Sequence, residues 1–117
     1  MAKKQIEVIL ETENENMINN TLGIITDNTI KYNDNNIIVV VKYDDNRVVI
    51  IRENDEYQLE MIFEKDKTIN GNYLLKENNI NLKLEILTKN LIIDENKIEI
   101  TYILNDELRN YRLHIKE

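Results

Sequence analysis

Few side chains in this sequence can do covalent or metal chemistry. There is no cysteine and no serine, and His114 is the single histidine. Serine and cysteine nucleophiles, thiolate metal sites and disulfides are therefore excluded, and one histidine cannot build a multi-histidine zinc site. The two glycines, Gly23 and Gly71, are too few for a glycine-rich phosphate loop or a dinucleotide fingerprint. What remains is a set of 22 acids, six tyrosines and a small number of arginines. Two carboxylates about 5–10 Å apart in a cleft would suit glycoside hydrolysis. Nearly all the acids here fall at turns or at outward strand positions, the usual solvated face, so no catalytic residue, metal ligand or cofactor is assigned.

Arg52 is the arginine whose setting asks for an explanation. It closes the apolar run "RVVIIR" and shares parity with Val48 and Ile50, so if those face inward the guanidinium lies inside a barrel or at its end. A charge in that position must be paired or hydrogen-bonded. Two roles follow: a structural cap bonded to carbonyls or an acid, or an anchor for an anionic ligand through the bidentate guanidinium fork. If Arg52 belongs to a buried pair, Arg52→Met is expected to cost about 3–5 kcal/mol.

The elements that would position it are strands. In "EYQLEMIFE", Tyr57, Leu59, Met61 and Phe63 point one way and the intervening polar residues the other. The same period puts Ile80, Leu82, Leu84 and Ile86 inward, then Ile98, Ile100, Tyr102 and Leu104, and finally Tyr111, Leu113 and Ile115 against an outward Arg112, His114 and Lys116. Thr88, ending one inward row, is expected as a buried hydroxyl bonded to backbone. The tyrosines Tyr32, Tyr43, Tyr57, Tyr73, Tyr102 and Tyr111 fall largely on inward parity, as core fillers or as a cavity lining. Clusters of Asn and Asp punctuate the runs about every ten residues, and both residue types tolerate the left-handed backbone of tight hairpins. No stretch carries a sustained helical period; a short helical turn around Glu15–Asn20 is the one expectation of helix. "IIVVVKY" (37–43) and "RVVIIR" are apolar on both faces, which predicts an outer face that is covered or lies at a subunit contact.

Short strands at this spacing predict an all-β protein, an antiparallel meandering barrel of about 8–10 strands whose interior holds side chains or one small ligand. A chain of 117 residues with 42% hydrophobic and 32% charged residues suits a single globular domain over residues 1–117. The N-terminal "MAKKQIEVILETE" is too short in its apolar run and too charged for a signal peptide, and no run is long enough for a membrane helix, so the expectation is a cytoplasmic protein without membrane association. A formal charge of −7 with scattered lysines and arginines argues against nucleic acid.

The order and spacing of Tyr32 in "IKY", Arg52 in "VVIIR", Met61 and Phe63 in "MIF", Tyr73 in "NGNYLL", Thr88 in "ILTKNL" and Tyr102 in "IEITYIL" resemble the YwiB-like bacterial proteins, a domain family of unknown function assigned to calycin-like β-barrels. The likeness runs over most of the chain. It departs from the family where glycines usually follow the arginine and the tyrosine: Glu53–Asn54 and Asn78–Asn79 stand there instead. The resemblance implies a calycin-like, lipocalin-like barrel and no established activity. Better-known calycins bind small apolar ligands inside the barrel and close its end with an arginine, a role that reaches this chain by fold-level analogy alone. If the barrel has an open cavity, Tyr57, Met61, Phe63, Leu84 and Tyr102 are expected to line it and Arg52 to anchor a polar group. A tightly filled barrel acting through its surface, with "IIVVV" or "VVII" as a homodimer or partner contact, stays open beside it.

Overall fold

The structure, a computed structural model, describes residues 2–116. Ten strands follow one another: β1 (Ala2–Glu11), β2 (Asn16–Thr26), β3 (Thr29–Asp34), β4 (Ile37–Tyr43), β5 (Arg47–Glu53), β6 (Tyr57–Glu64), β7 (Thr68–Leu75), β8 (Ile80–Ile93), β9 (Lys97–Leu104) and β10 (Glu107–Ile115). Each pairs antiparallel with the next, and β1 pairs with β10 to close the barrel, as the period-two runs and hairpin spacing predict. The expected helical turn at Glu15–Asn20 does not form. From Asn16 onward the chain is strand, laddered to β1 from Glu11↔Asn16 to Ala2↔Ile25. The ladder on β1 pairs one edge of the strand from Asn16 to Ile25, a continuous line of hydrogen bonds that a single helical turn does not offer.

Inward parity builds the core. Ile30, Val39, Val41, Val48, Phe63, Ile86 and Leu113 are completely buried, each contributing roughly 1.5–3 kcal/mol by leaving water. Phe63 meets Tyr102 edge-on with ring centroids 4.9 Å apart, the arrangement that places a positive ring edge on a negative ring face. Gly71 is required by close approach: a Cβ there would lie 2.4 Å from the Glu60 carbonyl oxygen. Beyond that point the β6–β7 turn leaves its own ladder and docks on β8, with Asp66 N–H donating to the Thr88 carbonyl at 2.8 Å. Thr88 sits beside a register shift between Thr88 and Asn90. Its side chain is fully buried, as expected, but Oγ1 has no hydrogen-bond partner.

The turns work without glycine. Asp27, Asn35, Asn36, Asp66, Asn79, Asn105 and Asp106 all adopt positive φ, and neither glycine does. Asn35–Asn36 and Asn105–Asp106 are consecutive left-handed pairs, the geometry that matches the twist of two-residue hairpins. Asn79 is therefore a true replacement for a turn glycine. Asn54 acts differently: its Oδ1 accepts from the N–H of Glu56 at 2.8 Å and of Tyr57 at 3.0 Å, so the side chain makes the turn.

Two expectations about apolar faces are corrected. No other described element covers the outer face of β4 and β5, with Val40, Val49 and Ile51 half-buried and Ile38 46% exposed, because the strands form one layer; of the two readings of that face, the one in which the chain itself covers it is the one that falls. Ile80 and Leu82 have inward parity yet are 43% and 49% exposed. Ile86 already faces Leu104 at the end of β9, so residues 80–85 project past the rim with no β9 beside them. The wall also parts between β2 and β3: their ladder spans only Ile24↔Lys31 to Thr26↔Thr29, and above it the side chain of Asn19 reaches the Asn33 carbonyl at 3.2 Å.

Candidate functional site

The parted wall and the adjoining turns open onto a cavity of about 500 Å³ at the barrel end formed by the β1–β2, β3–β4 and β9–β10 connections. Strand parity decides what it contains. On β5, Val48 and Ile50 point inward and so does Arg52; on β3, Tyr32 and Asp34 do; on β10, Arg109 and Tyr111 do. The deep wall is apolar, with Val8, Ile50 and Met61, and the mouth carries Met17, Ile18 and Asn19. Ile18 has outward parity and still borders the cavity, which the gap between β2 and β3 makes geometrically available.

Arg52 Nη2 donates to Asp34 Oδ2 at 2.8 Å, a single contact with both side chains partly exposed, 23% and 29%. Burial alone would lower the Arg52 pKa, but Asp34, then Tyr57 and Tyr32, outweigh it and the net shift is upward. Arg109 Nε donates to Glu107 at 2.8 Å, and its guanidinium also acts on the Tyr102 phenol. Behind them the hydroxyls of Tyr32 and Tyr111 lie 2.8 Å apart in the buried interior. Desolvation drives these phenols up: Tyr32 to about 12, with Tyr111 and Arg52 opposing, and Tyr111 well above its ordinary value. Tyr102 is raised by burial against the opposing effect of Arg109. All three are neutral hydrogen-bonding groups at ordinary pH.

Of the six residues assigned from the sequence, Arg52, Met61 and Tyr102 line the cavity. Phe63 lies wholly within the core behind Tyr102. Tyr57 stacks on Tyr73 with centroids 5.4 Å apart and planes 2° from parallel, outside the lining. Leu84 is also outside it, on the projecting part of β8. Sequence reasoning missed Asp34, Arg109 and Tyr111 as a group. The signal was available: Arg109 shares parity with Tyr111 and Leu113, as Arg52 does with Val48 and Ile50. Asp34 is the carboxylate of the lining, and Glu107 is bonded to the lining residue Arg109. His114 lies on the outer face, 2.9 Å from Glu99.

Comparison with known proteins places this architecture. The family model for a domain of unknown function, DUF1934, matches residues 2–115. No curated protein matches the sequence. Among solved structures, the YwiB protein from Bacillus subtilis superposes with a TM-score of 0.68 at 16% identity, over 97% of this chain and 89% of that one. At this identity the likeness is one of fold.

Proposed function

This chain belongs to the YwiB-like family of domains of unknown function, DUF1934, and from that premise we propose that it is a non-catalytic binding barrel for a small, partly apolar molecule. The observation that carries the reading is the cavity of about 500 Å³, apolar at depth and bordered by Arg52. A volume of that size belongs to the range of small-molecule sites, which combine an apolar lining with a few placed polar groups. Arg52 answers to both roles considered for it. One edge of its guanidinium holds Asp34 and ties β5 to β3, while the side chain remains part of the cavity wall. The calycin-like comparison and a cytoplasmic setting belong to this proposal, and in that setting the ligand is a metabolite.

Native mass spectrometry of the protein purified from its own host, followed by the same sample denatured, tests the reading. An extra mass on the native protein that disappears on denaturation is the expected result. A clean apo mass would favour the second reading, a filled barrel working through its surface. That alternative is supported by the uncovered apolar face of β4 and β5 around Ile38. It predicts a concentration-dependent dimer in sedimentation experiments.

A further inference from the structure

We infer that the cavity takes a small amphipathic acid, its carboxylate held between Arg52 and Arg109 and its apolar body lying against Leu10, Leu59, Met61 and Leu104. This rests on the binding-barrel reading and specifies the ligand class. Three observations lead to it.

Each cation at the cavity carries one carboxylate, Asp34 on Arg52 and Glu107 on Arg109. Each pairing runs through a single nitrogen, so further guanidinium N–H groups remain at a partly desolvated lining, where a charged hydrogen bond is stronger than in water.

Hydrogen-bond donors also outnumber acceptors. A guanidinium carries five N–H groups, and a phenol one O–H. Arg52 gives N–H groups to Asp34 and Tyr57, and Arg109 gives Nε–H to Glu107 and another N–H to Tyr102, which leaves each guanidinium with N–H groups to spare. In the Tyr32–Tyr111 pair one hydroxyl donates to the other, which leaves the second proton of the pair for another acceptor. Tyr102, toward which Arg109 is directed, keeps its own O–H to give. Donors gathered in a partly desolvated site gain most from an acceptor with several lone pairs, and a planar carboxylate matches the guanidinium fork.

The rest of the wall rejects a bare ion. Leu10, Leu59, Met61 and Leu104 complete the lining, and their contact with a hydrocarbon body supplies the affinity that a small inorganic anion cannot collect.

The test is calorimetric titration of the 117-residue chain with octanoate, octan-1-ol and inorganic phosphate as probes. Octanoate is expected to bind at least about tenfold more tightly than octan-1-ol, and its affinity alone should fall with added salt. Arg109→Gln should cost octanoate about tenfold and leave octan-1-ol within about twofold; Arg109→Lys, which keeps the charge and loses the fork, should fall between. Equal binding of octanoate and octan-1-ol would overturn the acid inference and leave the binding barrel standing. Phosphate binding as tightly as octanoate would overturn the amphipathic part. Binding of none of the probes would overturn both the inference and the reading beneath it. The salt and alcohol comparisons need no variant, so a misfolded Arg109→Gln does not protect the proposal.

Discussion

The hydroxyls of Tyr32 on β3 and Tyr111 on β10, 79 residues apart in the chain, meet at 2.8 Å inside the barrel. The barrel is therefore tied across its interior as well as around its wall. A pair of this kind is worth little net, but either half left alone is a buried polar group without its partner. Tyr32→Phe and Tyr111→Phe should each cost about 1–2 kcal/mol, and the double variant less than their sum. Urea denaturation of the four proteins measures the coupling; strict additivity would mean that the hydroxyls are independently solvated.

The same pair makes the fold sensitive to alkali. Tyr32 rises from 10.0 to about 12 on folding, so the native state favours the neutral phenol. Its contribution is complete below pH 10, where both states are protonated, and is lost as the pH climbs toward 12 and the unfolded chain releases its proton first. The loss from this group is about 3 kcal/mol. Unfolding free energies measured across that window should fall for the native protein and fall less for Tyr32→Phe.

Arg52→Met should cost about 1–2 kcal/mol, less than a buried pair would. Asp34, the partner left behind, is 29% exposed and recovers hydration when the guanidinium goes, and a single charged hydrogen bond between part-exposed groups carries only this much. Thermal and urea unfolding check the figure; a loss above about 4 kcal/mol would show that Asp34 is effectively sealed from water.

Thr88→Val should stabilise the protein by about 1 kcal/mol. The hydroxyl is fully buried without a partner, so the native state carries its desolvation unrelieved, and a methyl of the same shape removes that cost. A destabilised variant in urea denaturation would reveal a partner for Oγ1.

The parts of this molecule that were legible in the sequence are those governed by strand parity and turn chemistry. "KIEITYIL" alternates without a fault and is buried at Ile98, Ile100, Tyr102 and Leu104; the clusters holding Asn35–Asn36, Asp66, Asn79 and Asn105–Asp106 sit where φ turns positive, and Asp44, Asn54 and Asp94 make their turns through side-chain oxygens. Asn16–Gly23 was not legible, because the usual pattern is inverted there. Ile18 and Leu22 face outward while Asn19 and Thr21 have inward parity, as suits a strand that borders an opening. The reach of Ile80 and Leu82 beyond the rim depends on where β9 stops, which no local pattern records. The meeting of Asp34 with Arg52, and of Tyr32 with Tyr111, depends on the stagger of the closed barrel and so on all ten registers together.

The closing ladder, Ile6↔Ile115 through Glu11↔Asn110, has a consequence for synthesis. Nine of the strand pairings can form between neighbours in order of emergence from the ribosome, but β1 must wait for β10. Until then β1 carries an open edge along an otherwise assembled sheet, and its closure spans nearly the whole chain, the kind of contact that slows folding most. In the cell the nascent protein is most vulnerable to pairing with its neighbours on a polysome in that interval, and the arrival of β10 at the β1 edge is the event that ends it.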